Sequence, residues 1–253
     1  MKRSSGVRSA ATVAVSVLSF ALVTGCGGDS GGSDAKALSS AELKKAIIAE
    51  GDVEGHKVSA VEAKKLPSAK SEISGDEQCK PLVYVIGGLA PGDAASETRT
   101  VATEEKKPTD AASKSLEELS EGEIEDALNE SMSVNVTVVG LSSYDGDGAE
   151  EAFKSVSDAV EKCAGGFTAG QKKDEGKFTK VAAEKGAGAG DESVAFALTS
   201  DLEDGDSGQA HAEVVRHGNT VATYYTMNLG SLMTGKAYTV PAAVVDAQGA
   251  KLK

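Results

Sequence analysis

The stretch that most narrows the fold runs from Lys177 to Met227. Four β-type segments follow one another there, at Lys177–Ala183, Glu192–Thr199, Gln209–His217 and Thr220–Met227. The last two are separated only by Gly218-Asn219, the pair favoured in two-residue hairpin turns with positive φ. Strands joined this tightly pair antiparallel, because a parallel crossover needs a dozen or more residues. A further strand is expected at Val134–Leu141, with Val134, Val136 and Val138 on one face. It is followed by a helix capped at Asp147 and running to Ala164, whose stripe of Phe153, Val156, Val160 and Cys163 is spaced for burial. Upstream, Ser39 to Glu42 form a capping-box pattern before Leu43, Ile47 and Ile48, with Gly51 closing the helix. His56 to Ala63 alternates weakly, as a strand would. The apolar run in Cys79–Leu89 fits helix or strand equally. Residues 91–122 are polar, with one exposed strand expected near Thr98–Thr103, and Glu123–Glu130 suggests a short helix. Pro241 opens a last helix, Ala242–Leu252. With no Trp and only ten Phe plus Tyr among 253 residues, the core must be mostly aliphatic. The expected fold class is α+β: a single domain with an antiparallel sheet, one disulfide, and helices packed mainly on one side.

The N-terminus has a different character. Lys2, Arg3 and Arg8 precede an uncharged run from Ala10 to Val23, too short to span a bilayer as a helix. Small residues then lead to Gly25-Cys26, with Gly27 and Gly28 beyond. This arrangement resembles the lipobox of bacterial lipoproteins, in which the Cys is diacylated and the chain is cut just before it. The resemblance implies a signal peptide over residues 1–25, a lipidated Cys26 with a Gly/Ser tether over residues 26–37, and a folded domain over residues 38–253. Two acyl chains suffice for stable anchoring. The expected location is the extracytoplasmic face of the cell membrane, held through lipid such as palmitate.

Removing residues 1–25 takes away three of the 26 basic residues and none of the 39 acidic ones, so the net charge moves from −13 to −16. Such a body repels a phosphate backbone, which excludes nucleic acid as a partner. It equally argues against a basic membrane-surface binder. With Cys26 acylated, Cys79 and Cys163 remain as an even pair in an oxidising compartment. A bridge between them is expected; the alternatives are a metal pair or two free thiols. Two Cys without a nearby His pair make a poor zinc site.

Most chemical constellations fail on inspection. Gly-Asp-Ser-Gly occurs at Gly28–Gly31 and Gly205–Gly208 and resembles the nucleophile motif of chymotrypsin-like proteases. The first copy lies in the tether; the second, with Ser207, has only His56 upstream as a base, in the wrong context. Asp145, Asp147 and the carboxylates of Asp201–Asp206 lack the spacing of an EF-hand calcium loop. Gly186 to Gly190 carries alternating glycines like part of a dinucleotide fingerprint, but a strand follows where a helix should. No cofactor or metal is expected. On the last hairpin, His211, Glu213, Val215 and His217 share one face with Thr226, Tyr224, Ala222 and Thr220. The other face carries Ala212, Val214, Val221, Tyr225 and Met227 and is the more apolar. The second set is therefore expected as core. His211, Glu213, His217 and Tyr224 are expected on an exposed polar face, solvated or available for recognition, with Tyr224 directly opposite Glu213.

Taken in order, the landmarks after the tether are Leu38 to Leu43, Cys79 before a short apolar segment, the helix from Ala149 to Cys163, Gly190 to Phe196, and the hairpin Val214–Val221. This succession is similar to the extracellular sensor domain of actinobacterial PknH-type serine/threonine kinases and of sensor-domain lipoproteins. The resemblance implies a sheet-and-helix extracytoplasmic module that binds an envelope protein or small ligand. The chain departs from better-known members in lacking their second cystine and their Trp residues. The reading is a non-catalytic, lipid-anchored sensing or interaction module. The alternatives are a carrier of an apolar envelope ligand and a serine hydrolase using Ser207.

Overall fold

The computed structural model describes residues 35–62, 66–106, 131–171, 174–188, 190–202 and 207–253, with residues 120, 122, 124 and 129. The signal peptide, Cys26, the first Gly-Asp-Ser-Gly copy and most of the expected helix at Glu123–Glu130 lie outside the described residues.

Among the described residues, nine strands form one sheet. They are β1 (His56–Ala60), β2 (Ile73–Gly75), β3 (Ser96–Glu104), β4 (Asn135–Ser143), β5 (Phe167–Gln171), β6 (Asp174–Glu184), β7 (Glu192–Asp201), β8 (Ser207–His217) and β9 (Thr220–Asn228). Their spatial order is β1-β3-β4-β9-β8-β7-β6-β5-β2, and every adjacent pair is antiparallel. The four segments that opened the sequence reading are β6 to β9, and His217 pairs with Thr220 across the expected two-residue turn. The strand expected near Thr98–Thr103 is β3. It lies inside the sheet between β1 and β4, not exposed at an edge.

The α-helices whose limits are described are α1 (Ser40–Ala46), α2 (Lys80–Gly87), α3 (Gly148–Lys162), α4 (Leu229–Thr234) and α5 (Ala242–Ala250). Ser39 and Glu42 form the expected capping box of α1, but the helix ends at Ala46. Ile47 leaves in an extended conformation, so that it and Ile48 are buried beside Leu43 without being helical. The ambiguous run after Cys79 is a helix: Pro81 sits in its first turn, and Gly88 closes it at φ 64°. Gly88 must be glycine for a second reason, since a Cβ there would meet Val138 at 2.8 Å. Asp147 stands at the N-cap of α3 without making a side-chain cap bond. No helix among the described residues is long and apolar enough to cross a membrane.

One face of the sheet packs against α2 and α3. Phe153, Val156, Val160 and Cys163 are buried there, as their spacing predicted, with Leu82, Val85, Phe196, Val214 and Tyr225. The Cys79–Cys163 disulfide ties the start of α2 to the end of α3, with Cα atoms 6.0 Å apart. Across this face the residues of one row alternate small and large: Ala183, Phe196, Ala212, Tyr225 and Val138. The other face is covered as well. Leu43, Ile47 and Ile48 from α1 and the chain after it, with Val244 and Val245 from α5, pack on Val139, Leu141, Val215, Ala222 and Tyr224.

The N-terminal end of the described chain is fixed at the turn end of the last hairpin. Gly146 N–H donates to Ala35 O at 2.8 Å, Ala37 N–H to the Asp145 carboxylate at 2.9 Å, and Leu38 N–H to Ser143 Oγ at 3.0 Å. Residues 35–37, assigned to the tether on composition, are thus docked on the domain, with the Asp145 carboxylate accepting from Ala37.

Candidate functional site

The polar face expected to be open is covered. His211, Glu213 and Tyr224 are only 5%, 2% and 0% exposed. The pairing is as expected, with Glu213 opposite Tyr224 and His211 opposite Thr226. The correction concerns solvent. Alternation assigns residues to two faces, but α1, α5 and two irregular segments close over the second one. Residues 210–215 of β8 are buried in unbroken succession. The assignment of Ala212, Val214, Val221 and Tyr225 to core holds, whereas Met227 is 41% exposed at the strand end.

Beneath this cover the polar side chains form a cluster. His211 Nδ1 lies 2.8 Å from Glu184 Oε2 on β6. The Tyr238 ring meets the His211 ring edge-on, with centroids 4.5 Å apart, and its hydroxyl donates to Gln209 O. Tyr238 thereby straps the segment between α4 and α5 across β8. Glu213 Oε1 accepts from Ala187 N–H at 2.9 Å. That approach requires glycine at 186, where a Cβ would stand 2.5 Å from the same oxygen. The glycine-rich run rejected as a phosphate cradle therefore does have a backbone role: it wraps the Glu213 carboxylate. Tyr224 Oη is fully enclosed and has no hydrogen-bond partner.

In the row containing Glu213, the same-face neighbours are Glu184, Ala195, Glu213 and Tyr224. Ala195 contributes only a methyl between two acids. The space above it is a cleft of about 200 Å³, closed on the far side by Gly186, Ala187, Thr239, Val240 and Ala242. Sequence reasoning identified Glu213 but missed Glu184, the loop and the strap. The glycine run at 186–190 was the one available signal.

Burial pushes the Glu213 carboxyl above its usual range; the Ala187 and Gly188 N–H groups pull it down, and Asp246 of α5 pushes it up. A carboxyl that holds its proton more tightly when folded favours folding fully at pH below the ordinary carboxylate range, and the benefit is lost as pH climbs through the raised value. Glu213→Gln should consequently gain on the wild type as pH rises from acid to neutral. Melting temperatures over that range test it; a pH-independent difference would contradict the assignment.

His217 lies apart, half-buried at the end of β8. Its Nε2 is enclosed and unpartnered. Burial lowers its pKa, Asp191 opposing. Ser207 begins β8, whereas His56 begins β1, four strands away in the sheet order. At about 4.8 Å per strand that is roughly 19 Å, so these two do not form a nucleophile–base pair. Among the described residues, no group of three or more His, Cys, Asp or Glu is placed to hold a metal ion.

No family model matches the sequence, and no curated protein matches it. Among solved structures the chain is similar to the crystal structure of the extracellular domain of PknH from Mycobacterium tuberculosis. The two share 10% identity over 86% of this chain and 95% of that one, with a TM-score of 0.47. This is the type of domain whose order of landmarks the sequence resembles.

Proposed function

We propose that the protein is a non-catalytic sensing or interaction module, anchored by lipid on Cys26 to the extracytoplasmic face of the cell membrane. The observation that carries the reading is the buried Cys79–Cys163 bridge, both of whose residues are 1% exposed. A structural disulfide belongs to an oxidising compartment, where the leader ending at Gly25 would deliver the chain. The strongly acidic body suits a domain held off an anionic bilayer on a tether. The cleft at Glu213 supports a polar ligand over an apolar envelope molecule, because two carboxylates, Lys185 and backbone amides line it together with small side chains.

Cys26→Ser tests the anchor. Expressed in a bacterium that acylates lipoproteins, the wild type should enter the detergent-rich phase on phase partition. The variant should stay in the aqueous phase with an unchanged melting temperature. A variant that still partitions into detergent would overturn the anchoring.

A further inference from the structure

We infer that the cleft at Glu213 binds a small organic cation through its primary ammonium group. The inference deepens the sensing reading above and rests on it. Three observations carry it.

The first is the carboxylate itself. Glu213 lines the cleft although it is almost fully buried, and the backbone N–H groups of Ala187 and Gly188 are its hydrogen-bond partners. Among the described residues no cationic side chain pairs with it. A carboxylate removed from water without a counter-charge is costly, and the cost is relieved either by a proton or by a cation. The second is the setting. Tyr224 Oη, enclosed and unpartnered, belongs to the side chain directly across from Glu213, and the mouth carries the exposed Glu184, which also holds His211, beside Lys185. The third is shape. The cleft of about 200 Å³ is below the ~300 Å³ at which pockets for drug-sized ligands begin. Ala195, Val240 and Ala242 offer an apolar wall to a short carbon chain while Glu213 takes the head. A bare metal ion would need more donors than these residues bring together.

Ligand and proton compete for Glu213, so binding should release a proton and weaken as pH falls. The charged groups lining the cleft with Glu213 are Glu184 from β6 and Lys185 at the rim; around them lie Tyr224 from β9, Asp246 from α5, and His211 with Tyr238 beside Glu184. His211 lies beside Glu184, so the Glu213→Gln variant is needed to isolate the part played by Glu213.

The test is calorimetric titration of the full chain with n-butylammonium chloride, with n-butanol and sodium butyrate as controls. Saturable butylammonium binding in the millimolar range or tighter is expected, with neither control binding. Glu213→Gln should weaken it at least about tenfold and flatten its pH dependence. In the wild type, amide resonances of Ala187 and Gly188 should shift on titration, a readout that does not depend on the variant folding. Absence of saturation, equal binding of butanol, unchanged affinity in Glu213→Gln, or unmoved amides would each overturn the proposal and leave Glu213 as a clamp for its loop. The Cys26→Ser partition result is independent of all of these, so the ligand class and the anchored module fail separately.

Discussion

Replacing Cys79 and Cys163 together by Ala should lower the stability of the domain by about 4–5 kcal/mol, the largest loss expected from any change described above. The bridge spans 84 residues of sequence, so cutting it releases a long loop in the unfolded chain. Chain entropy of that loop is the main source of the figure, and the term grows only slowly with loop length. Both sulfurs also lie in the core between α2, α3 and the sheet, so the double replacement loses some packing in addition. For a domain of this size the change corresponds to a fall in melting temperature on the order of 10 °C. Thermal unfolding of the oxidised wild type beside the double variant measures it. A fall of only about a degree would mean that the unfolded chain gains little freedom when the bridge is absent.

Phe196→Ala should cost about 3–5 kcal/mol. The side chain is fully buried on β7 and is flanked on the adjoining strands by Ala183 and Ala212. Its ring therefore fills space that its neighbours leave vacant, and those alanines cannot extend into the hole it would leave. The chain has few other aromatics with which to close such a hole, having five Phe, five Tyr and no Trp. Denaturant unfolding with an unchanged m-value would read the loss directly. Phe196→Leu should recover most of it, because a branched aliphatic still occupies the row. If the alanine variant lost less than about 1 kcal/mol, the site would have to collapse around it, contrary to the packing described.

How far the sequence could be read depended on how local the information was. The order and places of β6 to β9 follow from alternation and a two-residue turn, both written within a few residues, although β6 starts three residues and β8 two residues earlier than expected; the stripe of α3 follows from helical spacing. The pairing of Cys79 with Cys163 followed from counting. β2 was not legible because its three residues take strand form only through pairing with β5. α1 was expected to continue through Ile48, but tertiary burial of Ile47 and Ile48 in extended form outweighed their helical spacing. The face of His211 and Glu213 was misjudged for a related reason. Alternation states which residues lie together and is silent on what covers them. Here the cover comes from the loop at Gly186 and Ala187, before β7, and from Tyr238 to Ala242, beyond α4, neither of which adjoins β8 in the chain. Glu184 joined the cleft by register with Ala195, a relation that only the sheet supplies.

The two outer strands of the sheet carry a consequence for chains held at high local concentration. A nine-stranded antiparallel sheet ends in two rows of backbone groups that could recruit a strand from another copy and start a fibre. Both ends are blunt: β1 is five residues long and β2 three. At the β1 end the Val58 N–H, which a newcomer would need, is already taken at 3.0 Å by the carboxylate of Glu50. A neighbour's strand would have to displace that acid and would find only a few residues against which to zip. Copies crowded side by side are therefore protected from polymerising through their sheets.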